Sequence, residues 1–279
     1  MQLDGSAITI ERRKITGCID LSVVFVREHF GTVATMTAFF AVPSTLLTWW
    51  LMANTESYLY VSLILFALLS PILGAVLVIG AGRRVFGDEF RVGESFSALR
   101  KRFWTLFGYM LLTRVLGGIL WCFVLPPLMV VVHSGFIAEI LYLESTPGKK
   151  VAARRKSLMS NLFWDLVGRG LAVFVFYALV VFGLFLLLER AAALLTGLQI
   201  MGMDFTTFLG LMAQDGEEFM TVMISHPLFI TVLHALMWLV YPLIRLAWFF
   251  CYLDVRIQKE GWDVELDFRI EAQRLGKLA

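Results

Sequence analysis

The chain has 279 residues, of which 59% are hydrophobic and only 16% are charged, and its net charge is +2. This composition excludes an ordinary soluble domain, and beyond scattered basic charge nothing indicates a nucleic-acid partner. Several apolar runs exceed the roughly 18 residues that predict a membrane-spanning helix. The first 14 residues are polar and precede an amphipathic segment, so no cleavable signal peptide is expected.

Motifs that would carry chemistry are absent from the sequence. Its three cysteines are scattered singly, so neither a disulfide framework nor a metal site is expected. There is no glycine-rich phosphate loop, no HExxH motif and no GxSxG motif. No enzyme class therefore has a supporting set of residues, and we predict no catalytic residue, no metal and no cofactor.

The N-terminal part of the chain begins with a surface helix. Residues 15–30 place apolar side chains on one side and predict an amphipathic helix at the membrane surface. A first span follows over 31–52, and Trp49 and Trp50 lie at its far end, where an aromatic belt is typical. A short polar loop leads to a second span over 58–82. These elements predict one surface helix followed by one transmembrane hairpin.

The middle of the chain has the same order of elements. Cations at 100–102 mark a second surface helix, and a third span is expected over 106–125. Pro126 and Pro127 predict a tight turn into a fourth span, which ends near Glu144. We therefore expect a second hairpin of two full-length spans.

The C-terminal part begins with the basic stretch 149–156, which turns apolar and predicts a third surface helix. A fifth span is expected over 171–188 and a sixth over 226–251. Between them, 191–225 forms the long connection on the far side and is predicted to hold short surface helices. Residues 252–279 form a charged tail, whose pattern is compatible with a strand and with a frayed helix.

Two stretches sixty residues apart, 103–108 and 163–168, share the pattern Phe-Trp-x-Leu-x-Gly. Each follows a group of cations and precedes a long apolar run, and residues 15–31 form a looser third copy. This similarity predicts an internal repeat of one unit. The predicted fold class is an all-α integral membrane protein with six transmembrane helices as three hairpins, each preceded by an amphipathic interfacial helix.

The distribution of cations predicts the orientation in the membrane. Most of the 24 lysine and arginine residues lie near the N-terminus, after spans two and four, and in the C-terminal tail. The positive-inside rule places these segments in the cytoplasm. We predict a multi-pass protein of the cytoplasmic (inner) membrane with both termini cytoplasmic. Its single polytopic domain comprises an amphipathic N-terminal segment 1–30, a six-span bundle 31–251 and a cytoplasmic tail 252–279.

Three charged residues fall inside the predicted spans. Arg114 and Glu139 lie at similar distances from the hairpin tip at Pro126, about 18–20 Å at 1.5 Å per residue, so we expect them to face each other. Arg245 lies in the sixth span, towards its cytoplasmic side. Two interpretations remain open. One is a polar site for an anionic headgroup or a coupling proton, and the other is a charge pair that holds the hairpin while Arg245 reaches the inner headgroups.

A second group of charges is expected at the cytoplasmic interface. Their positions predict an ionic cluster that joins the basic helix to the C-terminus, formed by Glu144, Arg154, Arg155, Asp254 and Arg256. Asp165 and Arg169 are four residues apart and predict a local pair on one helix. His133 and His234 have no partner at ligand spacing and are predicted to be packed core histidines.

Three stretches carry a resemblance to a known family. They are the helix end 26–31 before a span with a proline, the motif from Glu144 through Gly148 to 152–159, and the exit 250–256 followed by 259–266. Together they resemble bacterial membrane proteins grouped with the membrane domain of glycerophosphoryl diester phosphodiesterases. In that family the module is fused to a catalytic barrel or stands alone. No barrel occurs in this sequence, so the phosphodiesterase activity is not carried over, and the resemblance implies an integral cytoplasmic-membrane module without an assigned chemistry.

The leading functional prediction is a non-catalytic membrane module that anchors or organises partners at the cytoplasmic face. The basic block 149–156 would dock the partner, or would rest on anionic lipid, at about 1 kcal/mol per cation. Expected partners are the phospholipid bilayer, a cytoplasmic or membrane protein and a second copy of the chain, but no nucleic acid. The alternative is a transporter or lipid-handling protein with a polar site around Arg114 and Glu139.

Overall fold

The computed structural model describes residues 14–54, 59–85, 89–119, 125–201, 207, 210 and 226–261. All regular secondary structure with bounds in this part of the chain is α-helical. The helices are α1 (Ile15–Glu28), α2 (Phe30–Asn54), α3 (Leu59–Val85), α4 (Val92–Lys101), α5 (Phe103–Ile119), α6 (Leu125–Ser134), α7 (Ile137–Tyr142), α8 (Gly148–Met159), α9 (Phe163–Thr196) and α10 (Pro227–Glu260).

Four helices, α2, α3, α9 and α10, are long and apolar enough to cross a membrane. Their outer surfaces fit this assignment, since Leu179 and Phe182 on α9 are 65% and 54% exposed. Such an apolar surface is unfavourable in water but favourable in contact with lipid tails. The backbone N–H and C=O groups are hydrogen-bonded within the helix, as a membrane span requires. The prediction of an all-helical membrane protein with several spanning helices is confirmed to this extent.

The region of the predicted third and fourth spans differs from the expectation. Helix α5 is apolar but has only 17 residues. The predicted fourth span is divided into α6 and the six-residue α7, with a break at Gly135 and Phe136. Pro126 and Pro127 lie in the first turn of α6 rather than in the connection, because a helix start needs no proline N–H group. The arrangement of six spans in three hairpins therefore stays a prediction.

Three short helices precede three longer ones. One to three residues separate α1 from α2, α4 from α5 and α8 from α9, and the longer helices begin at Phe30, Phe103 and Phe163. At the last junction, Asn161 has a positive φ of 65°, a left-handed conformation that asparagine tolerates better than most residues. These boundaries coincide with the aligned stretches of the sequence, while the common origin of the copies stays a prediction.

Helices α9 and α10 are both longer than the predicted spans. Helix α9 continues past Glu189, whose carboxylate Oε2 accepts hydrogen bonds from the backbone N–H groups of Ile200 at 2.8 Å and Met201 at 3.2 Å. Helix α10 runs to Glu260, so the start of the predicted tail is helical. Residues 262–279, and most of the predicted far-side connection, lie outside the described residues.

The chain forms two compact units, and the prediction of a single domain remains a prediction. Unit 1 comprises residues 1–32, 74–173 and 243–279, and unit 2 comprises 33–73 and 174–242, each described here over its described residues. Large, fully buried side chains in unit 1 are Phe25, Phe136, Leu166, Phe249 and Tyr252. The corresponding side chains in unit 2 include Met36, Leu73 and Trp238. The charged clusters below belong to unit 1.

Candidate functional site

Glu144, just after α7, lies at the centre of a charged network in unit 1. Its two carboxylate oxygens accept hydrogen bonds from Arg154 of α8, at 2.5 Å from Nε and 3.0 Å from Nη2. Its Oε1 also accepts hydrogen bonds from the Tyr252 hydroxyl at 2.7 Å and from Arg256 Nη1 at 3.0 Å. A two-pronged arginine–carboxylate contact fixes orientation as well as charge. Glu144 therefore connects α8 to the C-terminal end of α10.

Glu260, the last residue of α10, completes the network. Its carboxylate forms ion pairs with Arg154 at 2.6 Å and with Arg256 at 2.5 Å. We name Glu144, Arg154, Tyr252, Arg256 and Glu260 the ionic clamp. Its two carboxylates balance its two guanidinium groups. The hydrogen bonds to Glu144 raise the pKa of Arg154 above its ordinary value, so this arginine stays charged at any physiological pH.

Asp254 belongs to a separate contact. Its Oδ2 accepts hydrogen bonds from Arg169 Nη1 of α9 at 2.6 Å and from Gln258 Nε2 at 2.7 Å. Arg169 also donates from Nε to Asp165 at 2.8 Å, which confirms the predicted pair four residues apart. Within α10, Asp254 and Glu260 lie on different sides, so Asp254 holds α9 rather than α8.

Arg155 also lies outside the ionic clamp. Its Nη2 donates to Nε2 of His133, at the end of α6, over 2.7 Å. His133 is exposed, so the prediction of a packed core histidine is wrong at this position. The reason is the early end of α6, which brings His133 to the edge of α8 instead of leaving it inside a continuous span.

The partner of Glu139 is Arg245, at 2.7 Å from Nη1 to Oε1, and not Arg114. The Glu139 side chain is 0% exposed and that of Arg245 is 11% exposed. The expectation that Arg114 and Glu139 face each other assumed one straight helix from Pro126, whereas the helix is interrupted before Glu139. The second carboxylate oxygen of Glu139 is buried without a hydrogen-bond partner among the described residues.

One face of α10 positions α7 and the residues around it. Trp248 stacks on Phe136 with ring centroids 5.3 Å apart, and Tyr252 meets the edge of the same ring at 5.4 Å. A Cβ added at Gly135 would overlap the Trp248 indole, so any other residue at this break would force the indole to move. Residues 245, 248, 252 and 256 recur at helical spacing and contact the broken helix, which places both Glu139 and Glu144 against α10.

A polar cluster in unit 2 surrounds His234, which is buried as the sequence predicted. Its Nδ1 lies 2.9 Å from the Ser62 hydroxyl of α3, and its Nε2 lies 3.2 Å from the Ser44 hydroxyl of α2. The Trp238 indole donates to Nε2 over 3.0 Å. Indole is a donor only, so Nε2 carries no proton and Nδ1 donates to Ser62.

This tautomer argues against Ser62 as a nucleophile activated by His234. A histidine that activates Ser62 would have to accept the hydroxyl proton at Nδ1, but Nδ1 already holds a proton. The cluster therefore holds α2, α3 and α10 together through hydrogen bonds, which are worth about 0.6 kcal/mol each on average between membrane helices. Sequence analysis missed the serine partners, because a serine in an apolar helix gives no spacing signal of its own.

Tyr252 and Glu260 were also missed in the ionic clamp. Each lies four residues from Arg256, on either side of it, so all three share one face of a helix. A predicted α10 that continued past Cys251 would have brought them together. Among the described residues no group of histidine, cysteine and acidic side chains is placed to hold a metal. No protein-family model, curated protein or solved structure matches the chain.

Proposed function

We propose that the protein is a non-catalytic membrane module that docks an acidic segment of a cytoplasmic partner protein on α8. The observation that carries this proposal is the ionic clamp, which fixes α8 to α10 through Arg154. The clamp neutralises Arg154 internally while other cations of the same helix stay exposed. A basic surface held on a rigid element suits recognition better than a flexible basic tail, because less conformational entropy is lost on binding.

The two faces of α8 differ sharply. Val151, Leu158 and Met159 are buried against unit 1. The opposite face is exposed and consists of Lys149, Lys150, Ala152, Ala153, Lys156 and Ser157. We name this exposed face the basic face. Helix α8 contains no acidic residue, so its field is uniformly positive and complements a cluster of carboxylates.

The affinity expected from the basic face is modest. Exposed ion pairs are worth about 0.2–1 kcal/mol each, so its three lysines contribute about 0.6–3 kcal/mol together. Their removal should weaken binding by about 3-fold to about 150-fold. Contributions of this size suit a reversible contact whose strength falls with ionic strength.

The proposal places α8 and the C-terminal end of α10 on the cytoplasmic side of the inner membrane. The positive-inside rule supports this side, because the cations of α4, α8 and the C-terminal region accumulate there. Six spans remain part of the proposal, with α5 and the pair α6 and α7 as the shorter third and fourth. Cysteine accessibility in intact cells, probed at Ala153 and at Asn54, tests this orientation.

The test of docking uses a photo-crosslinking residue at Ala153 in native membranes, followed by identification of the crosslinked protein. The variant K149E/K150E/K156E reverses the basic face without touching the ionic clamp. R100E/K101E on α4 serves as the matched control, because both of its side chains are exposed. We expect one stoichiometric partner, lost in the triple variant and kept in the control, whose purified acidic segment competes for crosslinking. Crosslinks to lipid alone, or a partner unaffected by charge reversal, would overturn the proposal.

A second candidate is a transporter or lipid-handling protein, which one observation favours. Glu139 is a fully buried carboxylate with one oxygen unpaired in the described structure, next to an interrupted helix. Interrupted helices and buried charges are typical of transport sites. Proton uptake into proteoliposomes of the purified protein, abolished by E139Q, would support this candidate. Uptake that is absent from the wild type, or equal in E139Q, would exclude Glu139 as a coupling residue.

A further inference from the structure

Arg155 differs from the other half-buried arginines that surround it. Arg154, Arg169, Arg245 and Arg256 each pair with a carboxylate. Arg155 instead donates to a neutral imidazole nitrogen of His133, and no carboxylate of the described residues lies within ion-pairing distance of it. Its Nε–H is buried and has no acceptor in this part of the structure. A buried donor without an acceptor is costly and calls for an explanation.

The neighbouring positions 154 and 155 show the difference directly. Hydrogen bonds from Glu144 raise the pKa of the Arg154 guanidinium, whereas burial lowers the pKa of Arg155. A lowered pKa is the sign expected for a cation that is partly removed from water without a compensating anion. Arginine nevertheless stays charged at neutral pH, so Arg155 carries a positive charge that nothing described in unit 1 neutralises.

The surroundings of Arg155 are fixed rather than loose. The Tyr109 hydroxyl of α5 donates to the backbone oxygen of Gly148 over 3.0 Å, which holds α5 against the start of α8. His133 accepts from Nη2 only while its Nε2 is unprotonated. At the start of α5, the Trp104 side chain is 79% exposed, as is typical of a tryptophan at the headgroup level of a membrane. Helix α5, which Tyr109 holds against α8, therefore carries a residue that is typical of the membrane interface.

We propose that Arg155 is a binding site for a phosphate group, with His133 orienting the guanidinium. A phosphate oxygen supplies the missing negative charge and accepts from the terminal guanidinium N–H groups that are not bonded to His133. The planar guanidinium fork matches phosphate oxygens, and such charge-assisted hydrogen bonds are the strong kind. Two sources share this chemistry, the headgroup of an anionic phospholipid and a soluble phosphate. The site does not depend on the docking proposal, because Arg155 lies off the basic face.

The experiment measures thermal unfolding of the full-length protein in detergent. One arm adds phosphatidylglycerol, with phosphatidylcholine as the counterpart whose choline cation offsets the charge of its phosphate, and the other adds inorganic phosphate. A ligand that binds only the folded state raises the Tm by an amount that grows with the logarithm of its concentration relative to Kd. We expect such a rise with phosphatidylglycerol or with inorganic phosphate, and the arm that responds identifies the source. No rise in either arm, or an equal rise with phosphatidylcholine, would overturn the site.

Three variants separate the site from nonspecific attraction. R155Q should lower the affinity for the responding ligand about 10-fold or more, since it removes a charge-assisted contact. K149Q/K150Q/K156Q should leave the Tm shift unchanged, because its lysines lie on the basic face. H133A should weaken binding by less than R155Q does, since it removes the group that orients the guanidinium but keeps the charge. A shift kept in R155Q, or lost equally in the lysine triple variant, would overturn the proposal.

A folding defect in R155Q does not remove the test. In that case R155K keeps the positive charge without the planar fork, and its affinity should fall several-fold below that of the wild type. If R155K binds as tightly as the wild type, the fork is not the recognition element. A complete loss of the shift in H133A, in which the charge of Arg155 is intact, would overturn the proposal.

Discussion

Replacement of Glu144 by glutamine removes the negative charge at the centre of the ionic clamp and keeps the shape of the side chain. Glu144 is only 9% exposed, while Arg154 and Arg256 are 28% and 12% exposed. In the E144Q variant both guanidinium groups lose their central anion and keep their ion pairs with Glu260. The α8 helix would then be held to α10 by one carboxylate instead of two.

The expected loss follows from the burial of these groups. Removal of one partner from a buried ion pair costs about 3–5 kcal/mol. The arginines retain Glu260, and Arg154 is partly exposed, so screening by solvent reduces the cost to about 2–4 kcal/mol. At about 2–4 °C per kcal/mol, the Tm of E144Q should fall by about 5–15 °C.

The assay is thermal unfolding in detergent with three further variants. E94Q is the matched control, since Glu94 forms exposed ion pairs with Arg83 and Arg91 and should cost less than about 0.5 kcal/mol. R154Q and the double variant E144Q/R154Q complete a double-mutant cycle, in which a coupling energy above about 1 kcal/mol is expected. If E144Q is as stable as E94Q, or if the coupling energy is near zero, the ionic clamp does not stabilise the protein and the reasoning is refuted.

Three further predictions concern the other clusters. R245L should destabilise by about 3–5 kcal/mol by stranding Glu139, whereas E139L/R245L should recover most of that loss, as measured by thermal unfolding. S62A should cost about 0.6–1.7 kcal/mol, and wild-type protein should not be labelled by a serine-reactive fluorophosphonate, because the His234 tautomer does not activate Ser62. G135A should cost about 1–3 kcal/mol by forcing the adjacent indole to move, and an unchanged Tm would show that the break is not tightly packed.

The cations of the basic stretch 149–156 have different roles in the structure. The sequence alone groups Arg154, Arg155 and Lys156 in one basic block. In the structure Arg154 belongs to the ionic clamp, Arg155 contacts His133, and Lys156 is exposed. Charge reversal across the whole block would therefore unfold the interface as well as alter the surface. Only the lysines of the basic face test recognition separately from stability.

The sequence by itself determined the helical, membrane-embedded character of this chain. Hydropathy depends only on residues that are neighbours along the chain. The apolar helices α2, α3, α9 and α10 can therefore be predicted without any knowledge of packing. The pair of Asp165 and Arg169 was predictable for the same reason, because i and i+4 residues meet on any helix. The starts of α5 and α9 also follow the local Phe-Trp pattern.

Only the tertiary structure decided which charges meet. The break at Gly135 interrupts the helix in the predicted fourth span, so the position of Glu139 no longer follows from a constant rise per residue. Glu139 therefore pairs with Arg245 instead of Arg114. The extension of α10 to Glu260 brought a second carboxylate to Arg154. Partner choice between distant residues depends on helix rotation and interruption, and these are set by side-chain packing between helices. No periodicity within a single segment carries that information.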